Sequence, residues 1–183
     1  VILMFDGKTF PVGLADRIRC ITTLYQWCKI NNKIFKVYFI HPFNLEKYLI
    51  PNNYDWSITL DELSFNINET LSISFSSMAY LFKERNVHYQ KKYADKMLMK
   101  DFAQIHVYSN VFFYDDYFFD FYHELFKPSY YLNEKINEEF VKISGPYISI
   151  SFRFARLLGD LDDVFGNVLP NDDQEILINK CIK

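Results

Sequence analysis

Glycine and proline are scarce in this sequence, 5 and 6 among 183 residues. A turn-rich all-β fold uses both heavily in its tight connections, so that class is set aside. Cysteine is scarcer: Cys20, Cys28 and Cys181, an odd number without metal-ligand spacing. That pattern excludes a disulfide framework or a cysteine-built zinc site, and it points to reduced thiols in a cytoplasmic compartment. No apolar run approaches the roughly 18 residues that a membrane-spanning helix needs. Val1-Ile-Leu-Met-Phe5 is short and carries no basic leader, so it reads as a strand and not as a signal peptide.

An excess of positive charge is also missing. Lys and Arg number 20 against 23 Asp and Glu, for a net charge of -3. A general nucleic-acid binder would carry a basic face, so nucleic acid is not an expected partner; a local cationic pocket for phosphate remains compatible with this balance. Several catalytic signatures are missing too. There is no G-x-S-x-G, no P-loop, no G-x-G-x-x-G and no D-x-D after a strand. The histidines at 41, 88, 106 and 123 are scattered, and only His41, at a strand end, falls where a cleft is expected.

Aromatic residues are abundant. Phe (19) and Tyr (14) dominate, and half of all residues are hydrophobic, far too apolar for disorder. The chain alternates strand and helix. Residues 1–5 form an apolar run, ending at Asp6-Gly7, that suits a strand buried on both faces. Gly13 opens a helix in which Leu14, Ile18, Ile21, Tyr25 and Cys28 recur at helical spacing, with Cys20, Leu24 and Trp27 on a second apolar face. Asn31-Asn32 ends it. Residues 36–40 form the next strand, closed by His41-Pro42, which completes a βαβ unit.

Residues 44–50 read as a short helix stopped by Pro51, and Trp56 to Leu60 as a strand. Leu71 to Ser76 alternates with period two, the mark of a strand with one wet face. A helix is expected over 88–104, with Ala94, Met97, Leu98 and Phe102 on one side and Lys91, Lys92, Lys96 and Lys100 on the other. Residues 105–109 form a strand, Tyr117 to Phe126 an aromatic helix led by Asp115-Asp116, and Pro128-Ser129 a break. Leu132, Ile136 and Phe140 mark a further helix, and Gly145-Pro146 a boundary. Residues 147–152 form a strand running into Arg153, and 175–182 a last helix behind a capping-box pattern at Asn171 to Gln174. The expected fold is α/β: a Rossmann-like open, mostly parallel sheet with helices on both faces. The domains are expected at 1–144 and 145–183, the second holding only a first strand and helix and so reading as cut short.

In such folds ligands collect at the carboxyl ends of strands. The first candidate segment is Asp6 to Arg17, where the backbone N–H groups near Gly13 suit an anion or a sugar hydroxyl. Asp16 and Arg17 fall in the helix's first turn; apart from a site role, they read as a dipole-stabilising acid and a surface arginine. The second segment is Ser151 to Asp160. Arg153 follows a strand, where its planar guanidinium can grip phosphate oxygens in a fork, and Arg156 is the next cation. The alternative for Arg153 is an ion pair with a carboxylate such as Asp160.

At these two segments the chain resembles the fucosyltransferase superfamily, which includes the protein O-fucosyltransferases and the nodulation α-1,6-fucosyltransferases. Val12-Gly-Leu-Ala-Asp-Arg-Ile-Arg19 is similar to the loop that precedes their first long helix. Leu125-Phe-Lys-Pro-Ser129 with Leu132 and Ile136 resembles the segment before their second domain, and Tyr147 to Arg153 the strand that opens it. Ser151 stands where the family often has His, and Asp160 lies further from Arg153 than the usual carboxylate.

The resemblance implies the N-terminal half of a GT-B glycosyltransferase that moves fucose or a related sugar from a GDP-sugar to a glycan acceptor with inversion, with 1–144 as its acceptor-side domain and 145–183 as the opening of its donor-binding domain. It needs no metal and no cofactor beyond the donor itself. By carry-over Arg153 would contact the β-phosphate as the catalytic cation, and Gly13 and Asp16 would line the cleft. The other residues expected at the substrate are Arg17, His41 and Arg156. The alternative function is a non-catalytic carbohydrate-binding or interaction module of the same fold, whose open sheet edge would favour a homo-oligomer.

Overall fold

The computed structural model describes residues 1–7, 13–75, 85–109, 117–143, 145–146 and 176; the side chains of 75 and 85–90 are outside it. The chain divides into two compact units, Val1–Phe140 and Val141–Lys183, and the architecture below is that of the first. The expected strand 147–152, the capping pattern at 171–174, Asp115-Asp116, Arg153, Arg156 and Asp160 lie outside the described residues.

The elements are β1 (Ile2–Phe5), α1 (Leu14–Ile30), β2 (Lys36–Phe39), β3 (Leu49–Pro51), β4 (Thr70–Phe75), α2 (Arg85–Leu98), β5 (Gln104–Ser109), α3 (Phe118–Leu125), β6 (Phe126–Pro128) and α4 (Tyr130–Phe140). Four strands form one sheet in the order β2-β1-β5-β4. Every pairing in it is parallel: Ile2 opposes Lys36 on one side and His106 on the other, and Ser72 opposes His106. The two central strands are β1 and β5. This is the α/β parallel arrangement expected from the alternation of the sequence.

Pleating sorts each strand onto two faces. On one face Leu3, Phe5, Val37, Phe39, Ile73, Ile105 and Val107 pack with Ile18, Ile21 and Leu24 of α1, Ala94 and Leu98 of α2, and Leu125. Side-chain hydrogen bonds tie these helices together. Trp27 Nε1 donates to Asp95 Oδ1 at 2.7 Å, and the Tyr25 hydroxyl donates to Glu124 Oε1 at 2.6 Å. Lys29 Nζ reaches both oxygens of Glu124 at 2.7 Å. On the second face Ile2 and Met4 pack with Leu63, Ile58, Tyr38 and Tyr108. Among the described residues the segment 58–66 covers that face, where a helix was expected.

Residues 44–50 depart from the expected short helix. A single 3₁₀ turn, Leu45–Lys47, is followed at once by β3, which pairs antiparallel with β6. Pro51 therefore sits in a strand, and it does so opposite Phe126 in a two-stranded ribbon that has free edges for its missing N–H. Phe126 and Pro128 correspondingly belong to β6, not to a helix end or a break. The expected strand at Trp56–Leu60 reduces to one parallel bridge, Val37 to Ser57, before another 3₁₀ turn at Leu60–Glu62. Trp56 is buried, and its Nε1 donates to the Leu125 carbonyl at 2.7 Å. The helix α2 ends at Leu98, so Phe102 lies beyond it in the turn that enters β5. Strand β4 has the expected wet face, with Ser72 and Ser74 exposed and Ile73 buried.

The start of α4 explains why Ser129 follows Pro128. Its Oγ accepts the Leu132 N–H at 3.1 Å, a helix N-cap, and donates to the Lys47 carbonyl at 2.6 Å. No residue of α4 is buried. The stripe Leu132, Ile136 and Phe140 is half-buried to exposed among the described residues.

Candidate functional site

The carboxyl edge of the sheet gathers both ends of the first candidate segment and His41. Strand β1 leaves through Asp6-Gly7, α1 begins at Gly13, and β2 leaves through Ile40 to the cis peptide His41-Pro42. Residues 8–12, between the first two, lie outside the described residues.

Backbone bonds bring the ends of β1 and β2 together. Ile40 and His41 both donate their N–H to the Phe5 carbonyl at 3.1 Å. Gly7 adopts φ +86°, and a Cβ built there would stand 2.9 Å from Cγ of His41. Glycine is therefore required twice over at position 7, by its left-handed backbone and by the ring packed against it. Gly13 is different. Its φ is -59°, and the nearest atom to a built Cβ is Oδ2 of Asp16 at 3.7 Å. It starts α1 without a side-chain cap, and Asp16 in the first turn supplies the negative charge that a helix N-terminus favours.

Arg17 is not a surface residue. It is 5% exposed, with its guanidinium 5.4 Å from the Phe5 ring and 5.3 Å from the Phe39 ring. Nη1 donates to the His41 carbonyl. Burial lowers the guanidinium's pKa from its ordinary value; arginine still keeps its proton in proteins. One side chain thus ties the start of α1 to the ends of both β1 and β2. The structure brings Gly13, Asp16, Arg17 and His41 to one edge, with Arg17 in its wall and Gly13 and His41 exposed.

An aromatic chain runs outward from this edge. Phe5, Phe39, Phe43, Tyr48 and Tyr131 follow one another at centroid distances of 5.0, 5.6, 5.2 and 5.6 Å. Lys47 Nζ lies 4.5 Å from the centre of the Tyr131 ring. The sequence reading missed this cluster because β6 and Tyr131 reach it only through the long-range β3–β6 pairing. It also missed His106, one of four scattered histidines; its place between Ile105 and Val107 in an expected strand was the available signal.

No family model, curated protein or solved structure matches the chain. Among the described residues no helix is long and apolar enough to cross a membrane.

Proposed function

We propose that this chain is the acceptor-side domain, with the first strand and helix of the donor-binding domain, of a fucosyltransferase-type enzyme, which moves fucose or a related sugar from a GDP-sugar to a glycan acceptor with inversion. One observation carries the reading. A parallel strand passes through Asp6-Gly7 to a long helix that starts at Gly13 without a side-chain cap, beside His41 at the end of the neighbouring strand. Open α/β sheets receive their ligands at that edge, and the N–H groups of a helix's first turn attract anions.

In this reading Gly13 and Asp16 line the cleft, His41 borders it, and Arg17 holds its wall in shape. Arg153, with Arg156 after it, supplies the cation for the β-phosphate. As the bond from the sugar to the diphosphate breaks, negative charge accumulates on the leaving group. A fixed cation in a water-poor cleft lowers that barrier, and removing one such donor costs about 10²- to 10³-fold in rate.

The test is calorimetric titration of the full chain with GDP-fucose, beside an Arg153→Ala variant. Loss of one charged hydrogen bond weakens binding by about 10- to 100-fold. Equal affinity in both proteins would remove Arg153 from the role, and no affinity in either would remove the nucleotide-sugar reading. The second reading, a carbohydrate-binding module, is favoured by exposed rings such as Tyr130 at 77% and Phe119 at 74%. Glycan binding without nucleotide affinity would select it.

A further inference from the structure

We infer that His106 and Gln104 form an acid-released latch that holds the segment 58–66 over the second face of the sheet. His106 lies on the central strand β5 between Ile2 of β1 and Ser72 of β4, and is 1% exposed. The Phe65 ring meets it edge to face at 5.5 Å.

Gln104 is the bolt. Its Nε2 donates to the Glu62 carbonyl at 2.7 Å, and its Oε1 accepts the Ser64 N–H at 2.9 Å. The same Oε1 stands 2.9 Å from His106 Nε2. An oxygen in that position takes a proton from the ring, so Nε2 carries the hydrogen and Nδ1 is left as a bare lone pair. Nδ1 is buried and has no hydrogen-bond partner among the described residues.

Acid attacks this arrangement at Nδ1. Protonation there creates a cation whose new N–H meets no acceptor, and burying an unpaired charge is costly. Burial accordingly holds the imidazolium below its ordinary pKa. The charged groups around the ring do not offset the cost. On the covering segment and the turn before β4, Glu62 is bound to the Thr59 N–H and hydroxyl, and Glu69 accepts from the Ser64 hydroxyl. Asp61 is exposed and held by Thr59. On β2, Lys36 is paired with Asp55 at 2.9 Å. Tyr38 of β2 and Tyr108 of β5 add only phenols, and β4 contributes no titratable group from Thr70 to Ser74.

The sign follows from linkage. A histidine whose folded pKa is depressed is neutral in the closed state and takes up a proton when released, so closure is complete above about 6.5 and weakens as pH falls below it. The opening equilibrium grows by roughly tenfold per pH unit below about 6.5, until the folded-state pKa is reached. Release would uncover Ile2 and Met4, both buried in the closed state.

Amide hydrogen exchange, corrected for intrinsic rates, tests this on the full chain between pH 7.5 and 5. The Ser64 N–H should lose protection by roughly tenfold per unit below about 6.5. The Val37 N–H, bonded to the Trp56 carbonyl at 2.7 Å at the sheet's far edge, should stay protected. In His106→Leu the Ser64 profile should be flat. A profile as steep in His106→Leu as in the natural chain would overturn the latch. Nitrogen-15 NMR of the natural chain decides the matter even where that variant fails to fold. A ring protonated at Nε2 and titrating below 6.5, together with the Ser64 amide, supports the latch. A ring titrating at or above 6.5 refutes it.

Discussion

Replacing Arg17 by methionine removes a side chain that ties α1 to the ends of β1 and β2. A charged hydrogen bond, here to the His41 carbonyl, contributes about 1.5–3 kcal/mol. The ring contacts with Phe5 and Phe39 contribute about 0.5–1 kcal/mol each. A buried methionine of similar reach restores roughly 1–2 kcal/mol of that through apolar contact. The net loss is therefore about 2 kcal/mol, or about 4–8 °C in Tm for a chain of this length. Urea unfolding followed by tryptophan fluorescence is a suitable assay, since Trp27 and Trp56 are both buried in the same unit. Arg17→Lys should recover less than half the loss, because an ammonium cannot lie flat against two rings while reaching the carbonyl. A loss below about 0.5 kcal/mol in Arg17→Met would refute the buried tie and return Arg17 to a surface role.

The two glycines of the edge should respond unequally to alanine. Gly7→Ala should destabilise by about 1–2 kcal/mol from backbone strain alone, with His41 displaced besides, whereas Gly13→Ala should change stability by less than about 1 kcal/mol; parallel thermal melts separate them. For Glu124, burial pulls the carboxyl upward, but the bonds from Lys29 and Tyr25 outweigh it and hold the pKa below the usual range. Its stabilisation is therefore complete above about pH 4.5 and is lost as pH falls through the folded value, so Glu124→Gln should flatten the acid limb of the stability curve below about pH 5. Cys20 and Cys28 are 1% and 0% exposed, and burial pushes the Cys28 thiol up to about 12. Both should resist a thiol reagent at pH 8 until urea unfolds the chain; rapid native labelling of either would contradict the packing around α1.

The parts of the fold visible in the sequence are those set by local periodicity. Strand β1 read as an apolar run because both its faces are covered. Helix α1 read as covered on two sides because Cys20, Leu24 and Trp27 make a second apolar face beside the stripe of Ile18, Ile21, Tyr25 and Cys28. Long-range pairing was not visible: Pro51 looks like a stop signal until Phe126, 75 residues away, is placed opposite it. Arg17 was misjudged from its place in the first turn of a helix. It stands three, four and seven residues before Cys20, Ile21 and Leu24, and so belongs to their buried face, while Leu14 is 47% exposed. The candidate edge itself followed from strand order alone, since a strand that enters a long helix through a glycine turn puts that turn at the carboxyl end of a parallel sheet.

The carboxyl edge as ligand site is tested most directly by amide chemical-shift mapping of the full chain during a titration with GDP-fucose. The account predicts that the amides of Gly13, Asp16 and His41 move together and saturate at one concentration. Shifts confined to the opposite end of the sheet, around Val1 and Gln104, or no shifts at all, would contradict it.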